Sequence, residues 1–313
     1  MNKESKIYVA GHRGMVGAAI TRRLRQLGYQ NLLLRASSEL DLCNQEATYD
    51  FFAREKPEFV FLAAARVGGI LANNTRRGEF IFDNLSIQNN VINGAYRNGV
   101  EKLLFLGSSC IYPKQCLQPI KEDYLLTGPL EITNEPYAIA KIAGIKLCEA
   151  FRDQYGFNAI SLMPTNLYGP GDNFDLQSSH VLPALMRKAH EAKLRGDREM
   201  VVWGTGTPFR EFLFCEDLAD ASVHLMNQYD EKGIVNVGTG LDCTIRELAE
   251  SVLETVGFDG ELVFDHTKPD GTPRKLLDVS KLTATGWTAQ TTLRDGLKET
   301  YQWFLNHVVQ KHL

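Results

Sequence analysis

The sequence contains no hydrophobic run long enough to cross a membrane. A transmembrane helix needs about 20 consecutive apolar residues, and no stretch of the 313 residues approaches that length. The segment Met1 to Lys6 carries no hydrophobic part of the kind found in secretion signals. We therefore expect a cytoplasmic protein that does not bind a membrane. Internal repeats and low-complexity segments are also missing, which argues against a repeat protein or a disordered one.

Cysteine is scarce and scattered along the chain. The six positions are Cys43, Cys110, Cys116, Cys148, Cys215 and Cys243. No pair has the C-x-x-C spacing, and no histidine stands at a ligand-like distance from them. This pattern is typical of free thiols in a reducing compartment. We expect neither a disulfide framework nor a metal site.

An excess of positive charge is missing as well. The chain has 34 lysines and arginines against 38 aspartates and glutamates, which gives a net charge of −4. A nucleic-acid-binding surface requires a clear basic excess, so no nucleic-acid partner is expected. With 44% hydrophobic residues, the chain is long enough for one large domain and a smaller appendage.

Hydrophobic segments alternate with helical patterns through the first half of the chain. Strands are predicted at 6–10, 32–34, 59–62, 102–106 and 158–163, and helices ending near 27, at 45–55, at 84–98 and from 136 onwards. This order is typical of a doubly wound parallel sheet of the Rossmann type. We predict an α/β fold with a nucleotide-binding domain at 1–165, the chain crossing back at 205–240, and a smaller, mixed substrate-binding region at 166–313.

A glycine-rich turn follows the first strand and precedes a helix. It comprises Gly11, His12, Arg13, Gly14, Met15, Val16 and Gly17. Gly11 permits the tight turn, Gly14 lets backbone N–H groups approach a pyrophosphate, and Gly17 allows the helix to pack closely on the strand. The spacing G-x-x-G-x-x-G differs from G-x-G-x-x-G, but the strand, turn and helix context favours dinucleotide binding.

The second strand lacks the acidic residue that would bind the ribose of NAD. It ends at Arg35 instead. A carboxylate there would repel a 2′-phosphate, whereas Arg35, helped by Arg13, would attract one. This favours NADP(H), the alternative being a solvated Arg35. Asp41 is a candidate contact for the adenine.

Tyr137 and Lys141 should lie one turn apart on the same face of a helix, whose first turn accommodates Pro136. An ammonium beside a phenol lowers the pKa of the phenol from about 10. A tyrosine tuned in this way can protonate a carbonyl while hydride arrives. By itself the pair is weak, because a half-buried tyrosine beside a solvated lysine is common. Ser108 follows a strand end, where its hydroxyl can bond a substrate carbonyl, although serines there are also common in turns.

These features, taken in chain order, resemble the extended short-chain dehydrogenase/reductase family, whose members act on nucleotide sugars. The segments 67–70, 107–113, 134–141 and 268–275 are similar to those of members that convert GDP-4-keto-6-deoxy-D-mannose to GDP-L-fucose by C3 and C5 epimerisation and NADPH-dependent C4 reduction. The resemblance spans nearly the whole chain. It implies a homodimer that pairs helix 84–98 with the Tyr137 helix in a four-helix bundle. The family carries a further arginine near Ser37, so here discrimination for the 2′-phosphate would rest on Arg13 and Arg35.

The resemblance also implies catalytic roles. A ketone at C4 makes the protons at C3 and C5 acidic, so each epimerisation needs a base and an acid. Cys110 would be the base and His180 the acid. A free cysteine has a pKa of about 8.5, so a basic thiol needs a positive charge nearby, whereas histidine starts in the useful range. Tyr137, tuned by Lys141 and assisted by Ser108, would protonate the C4 oxygen.

Binding roles follow from the same resemblance. The cofactor would contact the glycine-rich turn, Arg35, Asp41, Leu106, Gly107, Lys141, Pro164, Thr165, Asn166, Leu167 and His180. The GDP-sugar would contact Lys188, Trp203, Arg210 and Asp270, with neighbouring Arg187 as an alternative to Lys188. Cations and aromatic side chains suit a phosphate-bearing nucleotide, although any one of these charges is more often a solvated loop residue.

Two other functions stay open from the sequence. The first is a 4-epimerase or 4,6-dehydratase that retains NAD; a dehydratase usually has an acidic pair beside the serine, where this chain has Ser109 and Cys110. The second is a nucleotide sensor without catalysis. A sensor has no need for Ser108, Tyr137 and Lys141 together, which argues against it.

Overall fold

Alternating strands and helices make up most of the chain in the computed structural model, which describes residues 1–268 and 270–310. The strands are β1 (Ile7–Ala10), β2 (Leu32–Leu33), β3 (Phe59–Leu62), β4 (Lys102–Leu106), β5 (Ala159–Pro164), β6 (Asn166–Tyr168), β7 (Glu199–Trp203), β8 (Phe209–Phe214), β9 (Ile234–Val237), β10 (Asp242–Thr244), β11 (Glu261–Asp265) and β12 (Arg274–Lys275). The helices are α1 (Met15–Gln26), α2 (Gln45–Glu55), α3 (Ile70–Thr75), α4 (Arg77–Arg97), α5 (Glu135–Tyr155), α6 (Val181–Arg195), α7 (Cys215–Gln228), α8 (Ile245–Val256), α9 (Ser280–Ala284) and α10 (Leu293–Phe304).

Six parallel strands form the central sheet in the order β2-β1-β3-β4-β5-β9. In register, Ile7 of β1 pairs with Leu32 on one side and with Phe59 on the other. The strands β1, β3, β4 and β5 are buried along their whole length. Continuous apolar strands of this kind are typical of a parallel sheet covered on both faces. The predicted doubly wound α/β fold is confirmed.

Side chains of successive strand residues point to opposite faces of this sheet and enter two separate cores. Tyr8 and Ala10 of β1 pack in one core with residues of α2, α4 and α5. Ile7 and Val9 pack in the other with residues of α1 and α7. Because the side chains of a strand alternate between the two faces, β1 contributes residues to both cores.

The strand order reverses between β1 and β3, which creates a crevice at their carboxyl ends. Parallel sheets bind ligands at such a point. Gly11 follows β1 with a φ of +84°, and a Cβ atom added there would lie 2.7 Å from the main-chain nitrogen of Ala64, which follows β3. The chain passes this crevice so closely that only glycine fits at position 11.

A second group of strands packs around β8. This strand pairs with β6, β10 and β12, while β7 and β11 form a separate parallel pair. A third hydrophobic core lies here, with residues of α6, α8 and α10. The sequence did not reveal these strands: β6, β10 and β12 have only two or three residues, and β7 alternates in burial although four of its five residues are apolar. Through α7 and β9 the chain returns to the central sheet, while the proposed domain boundary at 165 stays a prediction.

Helix α4 is longer than the helix predicted at 84–98, since it begins at Arg77. Phe80 and Asn84 lie one turn apart and are both buried, so the buried face extends a turn earlier than the sequence pattern indicated. Of the helices described, none is long and apolar enough to span a membrane.

Candidate active site

Helix α5 presents Tyr137 and Lys141 towards the carboxyl end of β4. The helix begins at Glu135 with Pro136 in its first turn, as predicted. Lys141 is buried, and its Nζ donates a hydrogen bond to the carbonyl oxygen of Leu106 over 2.7 Å. The same Nζ lies 5.8 Å from the centre of the Tyr137 ring. The hydrogen bond from Lys141 to Leu106 therefore joins α5 to the end of β4 at the predicted catalytic pair.

Burial, rather than the pairing of charges, controls the proton affinities of this pair. Desolvation lowers the pKa of Lys141 from 10.5 to about 7. Desolvation also raises the pKa of Tyr137 above 10; nearby Cys110 adds to this and the Ser108 hydroxyl partly offsets it. The net pKa of Tyr137 is therefore raised, where the sequence predicted a lowered value, because burial has the largest effect on the phenol.

Ser108 and Cys110 lie on a single turn that follows β4. The Ser108 backbone is extended, and its Oγ accepts a hydrogen bond from the Cys110 N–H over 3.2 Å. Two side chains reach the thiol: Nδ2 of Asn134 lies 3.4 Å from Sγ, and Nζ of Lys275 lies 3.8 Å from it. A cysteine that acts as a base needs a positive charge nearby. Lys275 places its ammonium group at this distance from Cys110.

His180 stands immediately before α6, as its N-cap residue. The residue is exposed as a whole, whereas protein atoms around the imidazole desolvate it and lower its pKa below 6.5. The preceding loop is held by the segment Val67–Gly69, because the N–H of Gly69 donates to the carbonyl of Ser178 over 2.8 Å. The segment at 67–70, matched earlier without a role, thus supports the loop that carries His180.

The glycine-rich turn forms a cradle at the start of α1. Gly14 is the N-cap residue, and a Cβ added to Gly17 would lie 2.1 Å from the carbonyl oxygen of Gly11. The first N–H groups of a helix have no partner within the helix and favour an anion. Among the residues described, no hydrogen-bond partner reaches the buried Nδ1 of His12. The turn therefore fits a pyrophosphate group.

Arg35 lies beside this turn and is already paired. Its guanidinium donates to the carbonyl oxygen of Leu34 over 3.0 Å and to Glu55 Oε1 over 3.2 Å. Arg13 is exposed, as is Asp41, whose Oδ1 accepts a hydrogen bond from the Cys43 N–H over 2.9 Å. A 2′-phosphate at this edge would meet one arginine that is already paired and one that is exposed.

The ends of β4 and β5 lie side by side in the central sheet. The Gly107 N–H donates to the carbonyl of Leu162 over 2.8 Å, and the Thr165 N–H donates to Val237 over 3.0 Å. Beyond Pro164, Thr165 Oγ1 and Asn166 Nδ2 both donate to the carbonyl of Glu211, over 3.2 and 2.8 Å. The segment from Pro164 to Leu167 is therefore fixed at the same sheet edge as Leu106.

The predicted substrate residues Lys188 and Trp203 meet on one exposed surface. Lys188 Nζ lies 5.2 Å from the Trp203 ring centre, and Lys268 Nζ lies 5.5 Å from it. Burial lowers the pKa of Lys188. Arg187 instead bonds to Glu191 over 2.7 Å and to the Phe174 carbonyl over 3.1 Å, so Lys188 is the better candidate of the two.

Arg210 and Asp270 lie close to the same surface. Asp270 accepts hydrogen bonds from the N–H and the hydroxyl of Thr205, over 2.9 and 2.8 Å. Desolvation lowers the pKa of Arg210, and the negative charge of Asp270 opposes this. The four predicted substrate residues are thus brought together, while Pro269 of the matched segment lies outside the described residues.

All six cysteines are free thiols in this structure. Within the ranges 1–268 and 270–310, no three His, Cys, Asp or Glu side chains form a cluster that could hold a metal ion.

Comparison with known proteins identifies the family. The profile of the NAD dependent epimerase/dehydratase family matches residues 7–238, which is well over half of the chain. The chain belongs to this family. One similar protein is GDP-L-fucose synthase 1 of Arabidopsis thaliana. It is 61% identical to this chain over 310 residues, which cover 99% of this chain and 96% of that protein. GDP-L-fucose synthase of Escherichia coli K12 is 55% identical over 316 residues and covers 98% of each.

A solved structure is also similar throughout. MlghC, the GDP-mannoheptose C4 reductase from Campylobacter jejuni with NADP bound, superposes with a TM-score of 0.90 at 42% identity, covering 97% of this chain and 99% of that one. The family resemblance predicted from the motifs is confirmed.

Proposed function

We propose that the chain converts GDP-4-keto-6-deoxy-D-mannose to GDP-L-fucose by epimerisation at C3 and C5 followed by NADPH-dependent reduction at C4. The observation that carries the proposal is the position of Cys110, whose N–H donates to the Ser108 hydroxyl and whose thiol accepts a hydrogen bond from Asn134, the N-cap residue of the Tyr137 helix. Cys110, which would remove a proton, thus lies next to Ser108 and Tyr137, which would bind and protonate the carbonyl oxygen. Relatives that bear the name GDP-L-fucose synthase at 55% and 61% identity support the same reaction.

The cofactor proposed is NADP(H), which supplies hydride to the C4 ketone when it is bound. The pyrophosphate would lie on the glycine-rich turn, where Gly11 and Gly17 leave no room for side chains. Arg13 and Arg35 would meet the 2′-phosphate. The residues from Pro164 to Leu167 and Leu106 with Gly107 would border the nicotinamide end. The NADP-bound C4 reductase at 42% identity supports this choice.

Epimerisation would proceed through an enolate. Cys110, as thiolate, takes the proton from the carbon next to the C4 ketone, and the electron pair moves to the ketone oxygen, where Ser108 and Tyr137 hydroxyls stabilise it. His180 returns a proton to the opposite face of the same carbon. Cys110 then releases its proton to solvent and His180 takes one up, so that the same steps can occur once at C3 and once at C5.

Reduction would follow on the same carbonyl. Tyr137 donates its proton to the C4 oxygen as hydride reaches C4, which leaves a phenolate that solvent reprotonates. The raised pKa of Tyr137 keeps the phenol protonated until that moment. Lys141, when protonated, stabilises the phenolate through the low-dielectric interior.

The nucleotide part of the substrate would bind at the Trp203 surface. A guanine base can stack on the exposed Trp203 ring, and Lys188 and Arg210 would meet the diphosphate. Asp270 already fixes Thr205, so its carboxylate would both shape this loop and accept hydrogen bonds from the sugar or base.

The proposal extends to a homodimer and to a cytoplasmic location. The paired helices carry exposed apolar side chains, among them Phe82 of α4, which is 68% exposed, and Ile139 of α5, which is 42% exposed. A second copy packing the same two helices would cover them in a four-helix bundle.

A second candidate function is C4 reduction without epimerisation. It is favoured by the similarity to the C4 reductase, at 42% identity over nearly the whole chain. Both functions require Ser108, Tyr137 and Lys141, so only the fate of the C3 and C5 protons separates them.

One experiment tests the two functions together. GDP-4-keto-6-deoxy-D-mannose and NADPH are incubated in D2O with wild type, Cys110→Ser and, as a matched control, Cys43→Ser, and the products are identified by NMR. We expect GDP-L-fucose labelled at C3 and C5 from wild type and from Cys43→Ser, and no label from Cys110→Ser. An unepimerised 6-deoxy sugar from wild type, with NADPH consumed, would instead make the protein a C4 reductase.

A further inference from the structure

Two side chains from distant parts of the chain converge on the Cys110 thiol. Lys275 Nζ lies 3.8 Å from the sulfur, and Asn134 Nδ2 lies 3.4 Å from it. We propose that Lys275 and Asn134 are positioning residues that hold Cys110 as a thiolate, the form that removes the sugar protons. The inference rests on the proposed role of Cys110 as the base.

The position of Lys275 is fixed from both sides. In β12 it pairs in register with Arg210 of β8. The residues after it form a second ladder, in which the Ile120 N–H donates to Leu276 over 2.7 Å and the Asp278 N–H donates to Ile120 over 2.8 Å. These main-chain bonds fix the point from which the Lys275 side chain reaches the sulfur. A preorganised charge of this kind stabilises an anion without a cost of reorganisation.

Asn134 links the thiol to the helix that carries Tyr137. It is the N-cap residue of α5, and its side chain directs an N–H to the sulfur. Its own Oδ1 is buried and has no hydrogen-bond partner among the described residues. A buried acceptor without a partner is unfavourable. The Asn134 side chain therefore makes its hydrogen bond to the sulfur while its own carbonyl oxygen has no donor. A substrate hydroxyl bound beside Cys110 would supply the missing donor.

Other titratable groups near this cluster do not compete for the positive charge. The charge of Lys275 also acts on Cys116 and lowers the pKa of that thiol, but burial has the larger effect and raises this pKa above 9.0. Tyr137 faces Cys110 from α5, and its pKa is raised above 10. Both groups therefore stay neutral near pH 7, and neither neutralises the charge of Lys275.

The test measures the ionisation of Cys110 directly. The rate of alkylation by iodoacetamide is followed against pH in the full-length protein, and mass spectrometry of peptides separates Cys110 from the other five cysteines. Wild type is compared with Lys275→Met and Lys275→Arg. Lys121→Met, an exposed lysine of the neighbouring loop, is the matched control for the loss of one charge.

We expect Lys275→Met to move the midpoint of the alkylation profile upward by about one pH unit, which is about a tenfold slower alkylation at pH 7. Lys275→Arg should restore most of the rate, and Lys121→Met should match wild type. Asn134→Asp keeps the size of the side chain but adds a carboxylate, so it should move the midpoint upward as well. An unchanged profile in Lys275→Met, in protein that still binds NADPH, would overturn the proposal.

A second readout separates this proposal from its alternatives. Deuterium exchange at C3 and C5 should slow in Lys275→Met at saturating substrate, with little change in KM. A raised KM with normal exchange would mean that Lys275 binds the substrate diphosphate instead, which overturns its role towards Cys110. Failure of the proposed function gives another result, since wild type would then show no exchange at C3 and C5, or Cys110→Ser would retain it, whatever the alkylation profile shows.

Discussion

The ammonium of Lys141 donates a hydrogen bond to the main-chain carbonyl of Leu106, with 2.7 Å between Nζ and oxygen. This bond joins α5, which carries Tyr137, to the strand end from which Ser108 continues. Because Lys141 is buried, its pKa falls to about 7. The charge of this lysine therefore changes within the physiological range of pH.

Reduction should lose efficiency as the pH rises through about 7. Only protonated Lys141 stabilises the phenolate of Tyr137, and its folded-state pKa of about 7 means that the charge is present below this pH and lost above it. We expect kcat/KM, which reports the free enzyme, to decline on the alkaline side of neutrality. The pH profile of NADPH oxidation measures this.

Lys141→Arg provides the control for the pH dependence. A guanidinium stays charged throughout the accessible range, so the alkaline decline should move to higher pH, whatever the absolute rate. A decline at the same pH in both proteins would show that another group titrates.

Removal of the Tyr137 hydroxyl should separate the two halves of the reaction. We expect Tyr137→Phe to reduce kcat for NADPH oxidation by about 10²–10⁴, the usual contribution of a general acid. Deuterium exchange at C3 and C5 should continue at a reduced rate, because Cys110 and His180 are intact. The matched control is Tyr155→Phe, which alters an exposed tyrosine of the same helix. Equal loss of exchange and reduction would contradict separate roles.

The sequence predicted the parts of the site that depend on neighbours in the chain. Gly11, Gly14 and Gly17 stand within a single strand, turn and helix unit, so their spacing is visible directly. Tyr137 and Lys141 lie one turn apart, which helix geometry also fixes. The ends of β4 and β5 could be placed together because parallel strands share one carboxyl edge.

What the sequence could not predict depends on contacts between distant segments. Lys275 and Cys110 are separated by 165 positions, and the pairing of β12 with β8 brings them together. The direction of the pKa shift of Tyr137 was predicted wrongly because it is set by burial, which only the packed structure reveals. The ion pair between Arg35 and Glu55 likewise joins the end of β2 to the end of α2.

Arg35 should determine much of the preference for NADPH. Hydrogen bonds to charged groups contribute about 1.5–3 kcal/mol, so Arg35→Ala should lower kcat/KM for NADPH by about 10–100-fold. NADH, which has no 2′-phosphate, should be affected little. The control is Arg54→Ala, since this exposed arginine contacts the same Glu55 at 3.4 Å. Equal losses with both cofactors would show that Arg35 supports the fold rather than the phosphate.

Disruption of the exposed face of α4 and α5 should give a monomer. Phe82 is 68% exposed on α4, and a charge there would have to be buried against the second copy at high cost. We therefore expect Phe82→Glu to halve the mass measured by light scattering at micromolar concentration, with the far-UV circular dichroism unchanged. Leu194→Glu is the matched control, because Leu194 is 71% exposed on α6, away from this face. A monomeric wild type, or dissociation of both variants, would contradict pairing through α4 and α5.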